Sequence, residues 1–371
     1  LRLFIYISLL FLISSCSISP QTHKTGIRSG QEIISQQLDL INISKEKYNI
    51  ALIAPLGKQK EHVGNSVVKA AQLAIENSKN PNINLILLNS DLITNNPELL
   101  LSTLQEKQVK VIIGPIYTKE TEKLNSLLAK ANITILSLSN DSSIKGNSLL
   151  VMGLTPEAQT TALTNYAIGQ AINNFHLIIP SNKYGKLINN ELASIVSLKN
   201  DINYQVRWYN AENINNVIDD LVKSIAQSTN DTENQAIFMP LAGNNLITLN
   251  TSLAKHKLKI NLIGSKAWDI PSSLALPELN GAILIKNDIK EQKFSEDYEQ
   301  AFKTSSTNLI DAITYNTVSM IIHMHTNEIA INKNTIIENN PDRFNAKSTA
   351  IYDLSIMEIY NGDFRLVDIS Q

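Results

Sequence analysis

Apolar and polar positions along this chain alternate in blocks rather than residue by residue. The stretch Asn49-Ile-Ala-Leu-Ile-Ala-Pro-Leu-Gly is a continuous apolar run that stops at a Pro/Gly turn, as a strand buried on both faces does. Val67, Ala70, Ala71, Ala74 and Ile75 then recur at helical spacing and predict a helix over 63–77. The next strand is expected over 84–89, followed by a helix over 97–107 that Pro97 can open, because the first turn of a helix has no use for the missing N–H. The run Val109-Lys-Val-Ile-Ile-Gly-Pro-Ile-Tyr-Thr is a short β-branched strand that stops at Gly114-Pro115 and feeds a polar helix over 120–131, with another strand over 133–138. Strands of this kind, alternating with helices and lacking hairpins, require right-handed crossovers and a parallel sheet covered on both faces.

The pattern restarts after Gly153-Leu-Thr-Pro-Glu. Helices are expected over 158–171, 186–197, 214–228 and 246–256, and strands over 176–180, 204–209, 236–240 and 261–263. Two similar halves predict an α/β molecule of two lobes separated by a cleft. Beyond Gly264 the period breaks into the loop Ser265-Lys-Ala-Trp-Asp-Ile-Pro and a short strand over 281–286. Helices follow over 294–302 and 309–325, the second so apolar that it should lie between layers. In the tail, Asn361-Gly362 reads as a hairpin turn between two strands. Ligands of open α/β sheets sit outside the carboxyl ends of the strands, near helix N-termini, so the Gly114-Pro115 turn is the first place to expect one.

Composition narrows the partners. Lys plus Arg (32) nearly balances Asp plus Glu (34), which argues against nucleic acid. The single cysteine, Cys16, follows Arg2 and a leader-length apolar run over 3–13, too short to cross a bilayer permanently. Ile13-Ser14-Ser15-Cys16 resembles a lipobox, with residues 1–15 as signal peptide and Cys16 as the lipidated residue. At roughly 0.8 kcal/mol per buried CH₂, three acyl chains anchor a protein stably. Ser17 in place of an aspartate favours the outer membrane, and the Ser-, Thr- and Gln-rich stretch to residue 46 reads as a tether. An ordinary secretory signal is the other reading of the same residues.

Several ordered motifs carry a family resemblance. Ile50-Ala-Leu-Ile-Ala-Pro-Leu-Gly, Val111-Ile-Ile-Gly-Pro with Thr118, Ile135-Leu-Ser-Leu-Ser, Lys183-Tyr-Gly, Leu262-Ile-Gly and Tyr298-Glu-Gln-Ala-Phe resemble the Leu/Ile/Val-receptor class of type 1 periplasmic binding proteins. Within that class, Gly153-Leu-Thr-Pro-Glu-Ala-Gln, Gly264-Ser-Lys-Ala-Trp-Asp and Leu279-Asn-Gly-Ala look most like the branch of penicillin-binding protein activators, outer-membrane lipoproteins that stimulate peptidoglycan synthases from the periplasm. The resemblance implies two discontinuous lobes, 47–153 with 280–340 and 154–279 with 341–371, joined by three crossings near Gly153, Leu279 and the approach to Pro341. Carried over by position, it implies ligand-binding positions at Thr118, Ser139 and Asp141 of one lobe and Tyr184 of the other, with Ser137, Ser265 and Trp268 as further cleft candidates. Where amino-acid receptors place an acid after the Leu-Ile-Gly strand, this chain has Ser265-Lys266-Ala267, and a cation there repels an α-ammonium.

Each position has a plainer reading. Thr118 fits a helix N-cap, Ser137 and Ser139 fit strand-end caps, Tyr184 fits lobe packing, and Trp268 is either core filler or an exposed anchor for a protein partner. Enzyme chemistry lacks its signatures: the chain has no Gly-x-Ser-x-Gly elbow, no P-loop and no His-Glu-x-x-His. His323 and His325, two apart on one helix, cannot share a metal. No cofactor is expected. The expected function is that of a non-catalytic lipoprotein that binds and activates a peptidoglycan synthase, with a substrate-binding lipoprotein of an ABC importer as the alternative.

Overall fold

A computed structural model describes residues 47–57, 60–228, 232–240, 243–286, 292–304 and 308–370. The leader and Cys16 lie outside the described residues. The chain runs through β1 (Tyr48–Ala54), α1 (Glu61–Ser78), β2 (Ile83–Asn89), α2 (Pro97–Glu106), β3 (Val111–Ile113), α3 (Thr118–Leu127), β4 (Thr134–Ser137) and β5 (Leu149–Val151). It continues through α4 (Pro156–Gly169), β6 (Asn174–Pro180), α5 (Lys183–Ser197), β7 (Asn203–Tyr209), α6 (Ile214–Ser228), β8 (Gln235–Phe238), α7 (Asn244–His256), β9 (Asn261–Ile263) and β10 (Ile283–Lys286). Helices α8 (Gln292–Phe302), α9 (Leu309–Thr326) and α10 (Lys333–Glu338) precede the closing strands β11 (Leu354–Tyr360) and β12 (Asp363–Ser370).

These strands form two sheets. The first, ordered β2-β1-β3-β4-β5, is parallel throughout. The second, ordered β12-β11-β10-β9-β8-β6-β7, is parallel from β10 to β7 and antiparallel at the β10-β11-β12 end. The alternation of side chains along each strand explains why both faces must be covered. In β1, Ile50 and Leu52 join a core with Val67 and Val68 of α1 and Val318 and Ile321 of α9, while Ala51 and Ile53 point the other way, towards Leu100 and Leu104 of α2 and Leu124 of α3. The apolar α9 thus lies between layers, as its composition requires. In the second sheet, Leu177 and Ile179 face Leu163 of α4 and Leu192 of α5, and Ile178 and Ile237 face α6 and α7. The first of these cores is continuous from one sheet to the other, through Met152 and Leu154 on the way out and Phe344 and Ala350 on the way back.

Two of the expected boundaries move. The strand over 283–286, grouped by sequence with the first lobe, pairs in parallel with β9 and antiparallel with β11, so the chain leaves the second sheet after Lys286 and not near Leu279. Its apolar run satisfies a core on either side, and only partner register distinguishes the two. The return crossing also shifts. Thr349 still bridges Val151 at the edge of the first sheet, which places the change of lobe after Thr349 instead of at Pro341. Gly153 lies in the segment between β5 and α4, where a Cβ would come within 2.4 Å of the Ser139 carbonyl oxygen.

Candidate functional site

The segments that follow β4 in the first sheet and β6 in the second meet through an ion pair, and the local sequence determines what each presents. On the first-lobe side the β3–α3 turn is tight. Gly114 adopts φ 93° with its Cβ position 2.2 Å from the Ile53 carbonyl oxygen, and the Gly114–Pro115 bond is cis. A side chain at 114 has neither the conformation nor the space. The N-cap of α3 is Tyr117, which makes no side-chain cap bond, so Thr118 is the first helical residue and not the cap expected of it. Its hydroxyl lies 3.2 Å from the hydroxyl of Ser139. Ser139 in turn accepts from the Asp141 N–H at 3.2 Å. Ser137 is fully buried one layer beneath, 2.8 Å from the Thr121 hydroxyl, and accepts from the Ser139 N–H. It ties the turn together and has no surface to offer a ligand.

On the second-lobe side, Asn182 caps α5 by accepting from the Gly185 N–H at 3.1 Å. Gly185 permits this start, since a Cβ there would sit 2.1 Å from the Pro180 carbonyl oxygen. The cap places Lys183 and Tyr184 in the first turn. Burial pushes the Tyr184 phenol above its usual range, with a hydrogen bond to Ser265 offsetting part of the shift. Ser265 is itself buried, donating to the Pro240 carbonyl at 2.5 Å and accepting from the Ala267 N–H at 3.1 Å. Lys266 is drawn down from its usual pKa by burial and held up in part by Asp269, 3.8 Å away.

Trp268 is not in the crevice. It is 0% exposed in the core between the second sheet and helices α6 and α7, and the absent Cβ of Gly264 makes room for it, with an ideal Cβ only 2.3 Å from the indole. Of the two readings open in the sequence, core filler is the one realised. Its apolar surroundings come from segments far apart in the chain, which a local reading of the loop does not bring together.

A salt bridge joins the two sides. The Lys183 ammonium of the second lobe sits 2.5 Å from Asp141 Oδ2 of the first. The carboxylate also accepts from the N–H and the hydroxyl of Ser143, at 3.0 and 2.7 Å. Burial alone would raise the Asp141 pKa, but the Lys183 and Ser143 bonds outweigh it and hold the group below its ordinary value. The side chain of Asp141 is 8% exposed and that of Lys183 is 54% exposed, so the pair closes from the solvent side. A cation in the first turn of a helix opposes the helix dipole, and Asp141 supplies the compensating charge. Beside it, the Ser142 hydroxyl donates to Glu157 Oε1 at the start of α4, a second contact between the lobes. Lys183 and Glu157 both fall within family motifs, Lys183-Tyr-Gly and Gly153-Leu-Thr-Pro-Glu, but neither was among the expected ligand-binding positions. Lys183 was visible only as the neighbour of Tyr184.

No group of metal-ligating side chains occurs among the described residues, and none of the described helices is long and apolar enough to cross a membrane.

A family model described as "Periplasmic binding protein" matches residues 47–325. An uncharacterised protein of Rickettsia prowazekii is 27% identical over 173 residues, which make up 45% of this chain and 46% of that protein. The match thus spans about half the length of that curated relative. Among solved structures, a Rhodospirillum rubrum protein assigned to branched-chain amino acid ABC transport superposes with a TM-score of 0.69 at 16% identity, covering 86% of this chain and all of the other. The C-domain of Haemophilus influenzae LpoA, a regulator of PBP1A, superposes with a TM-score of 0.63 at 14% identity, again over 86% of this chain and all of the domain. At these identities the superpositions speak for the fold alone, an α/β architecture of two mainly parallel sheets flanked by helices.

Proposed function

The chain belongs to the periplasmic binding protein family, and from that premise we propose that it is a non-catalytic envelope lipoprotein that binds and stimulates a peptidoglycan synthase. The observation that carries this reading is the Lys183–Asp141 pair. An amino-acid receptor needs a free carboxylate for the ammonium of its ligand, because a buried ammonium without a counter-charge is costly. Here the chain's own ammonium takes that place, and Lys266 follows the Leu-Ile-Gly strand where such receptors carry an acid. The hydroxyls of Thr118, Ser137 and Ser139 bond to neighbours of the same lobe. A cleft spent on holding its two lobes together suits a rigid surface for a protein partner. The lipobox at Cys16 and the likeness to the LpoA C-domain, itself a regulator of PBP1A, support the same reading.

The alternative is a substrate-binding lipoprotein of an ABC importer. The superposition on the whole Rhodospirillum rubrum protein favours it, as do the part-exposed Thr118 and its Ser139 neighbour at a turn where a carboxylate could dock. Two measurements separate the readings. Thermal unfolding is followed with leucine, isoleucine, valine and the other amino acids in turn. A true ligand at a hundred times its Kd adds about 2.7 kcal/mol of stability, and the expected result is no shift. Retention of a purified peptidoglycan synthase from the same organism, with a rise in its glycan-polymerising or crosslinking rate, is the expected positive. A clear shift with a leucine-like ligand, or no effect on any synthase, overturns the proposal.

A further inference from the structure

Strand β7 ends the second sheet on one side, and no described strand lies beyond it. The opposite edge, β12, is protected against pairing: Asp363, Arg365 and Asp368 put charge along it, and Val367 is bulged where the register with β11 shifts. β7 has neither protection. Its seven residues, Asn203–Tyr209, pair with β6 in unbroken register, with no proline and with Arg207 as the one charge. Two large apolar side chains are exposed at this edge. Trp208, near the end of the strand, is 40% exposed, and Leu198, between α5 and the start of the strand, is 84% exposed. A regular edge of this kind is a template for another strand.

The residues of β7 select the strand that fits. Side chains alternate between the faces of the sheet. Tyr204, Val206 and Trp208 point to the α5 side, where the first two pack on the core and Trp208 lies over Gly185, while Gln205 and Arg207 point to the other. Tyr204-Gln-Val-Arg-Trp208 therefore has the same pattern from either end: aromatic, long polar, valine, long polar, aromatic. We propose that β7 is a self-association edge, on which a second copy of this chain pairs its own β7 antiparallel about a two-fold axis at Val206. Tyr204 then lies opposite the second copy's Trp208, an aromatic cross-strand pair that the symmetry forms twice. Gln205 lies opposite Arg207, so no like charges meet. Helix α5 runs back against the direction of β6 and β7, which sets Leu198 at the end where the second copy's Trp208 arrives. The two second-lobe sheets become one. This inference goes beyond the synthase-activator reading and does not depend on it.

Sedimentation equilibrium on the purified protein tests it. A monomer–dimer equilibrium with a micromolar dissociation constant is expected, since a single strand pair makes a small interface. Gln205 is exposed and open to substitution. Gln205→Arg sets like charges opposite Arg207 at two symmetric places and should weaken the dimer about three- to tenfold, whereas Gln205→Glu sets opposite charges there and should tighten it by a similar factor. Oxidation of Val206→Cys should link two copies at the axis, because directly opposite residues stand about 4.5–5.5 Å apart at Cα, within the reach of a disulfide. The unsubstituted protein, with Cys16 as its single cysteine, and Lys130→Cys, exposed on the first lobe, supply the background rate of linkage. A monomer up to millimolar concentration, a dimer indifferent to both Gln205 variants, or linkage through Val206→Cys no faster than through Lys130→Cys overturns the proposal.

Discussion

At the scale of single residues, Asp141 is where burial and pairing compete, and pairing wins. The folded chain therefore releases this proton more readily than the unfolded chain does. Its contribution to stability is present in full above the ordinary aspartate pKa of about 3.9 and disappears as the pH falls through the lowered folded value. Replacing its partner reverses the balance. In Lys183→Met the burial that remains moves the Asp141 pKa upward, so the acid limb of the stability curve should shift to higher pH. At neutral pH the variant should lose about 1–2 kcal/mol, the scale of a charge-assisted bond with one exposed partner. Unfolding midpoints between pH 3 and pH 7, compared for the two proteins, check both statements. The pair was hidden in the sequence for a simple reason. Asp141 and Lys183 lie 42 residues apart in different lobes, and no local pattern relates them.

At the scale of elements, the C-terminal hairpin tests how far local chemistry alone builds structure. Asn361 and Gly362 take φ values of 52° and 79°, the doubly positive turn whose twist matches that of the flanking strands. Gly362→Ala should cost about 1 kcal/mol, because alanine meets strain at positive φ that glycine does not. The matching Asn361→Gly should be close to neutral, and urea midpoints distinguish them. This turn was legible in advance, as was the strict alternation of β1–β4 with α1–α3, since each depends on residues near in sequence. Three-residue β5, Leu149–Val151, was not. The pairing of β10 was not either: Ile283–Lys286 carries an apolar run that any sheet interior accepts, and register against β9 and β11 is a property of three separate segments. The positions expected in the cleft are placed differently on the same grounds. Thr118 and Ser139 do meet, at the end of adjacent strands, whereas Trp268 was taken into a core assembled from helices α6 and α7 that precede it.

At the scale of the whole molecule, two sheets do not make two independent folding units. The apolar core that continues through Met152, Leu154, Phe344 and Ala350 couples the lobes, so a single cooperative transition is expected. The two tryptophans provide the means to see it. Trp208 lies in β7 and Trp268 behind β9, both in the second lobe, so fluorescence reports that lobe while far-UV circular dichroism reports the whole chain. The two denaturation curves should coincide. A fluorescence transition separated from the dichroism transition would mean that the lobes unfold one at a time.

The packing of α1 against α9 has a consequence for how such a chain comes into being. Asn77 at the end of α1 donates to the Tyr315 hydroxyl of α9, its partner 238 residues further along. During synthesis or export, α1 emerges with its apolar stripe of Val67, Val68 and Ala71 uncovered by α9, and it stays so while β6–β10 of the second sheet are threaded out behind it. Contacts between such distant segments form late and slowly. The strands that appear first are thus the ones that wait longest for cover, and during that interval they are the natural clients of a holding chaperone.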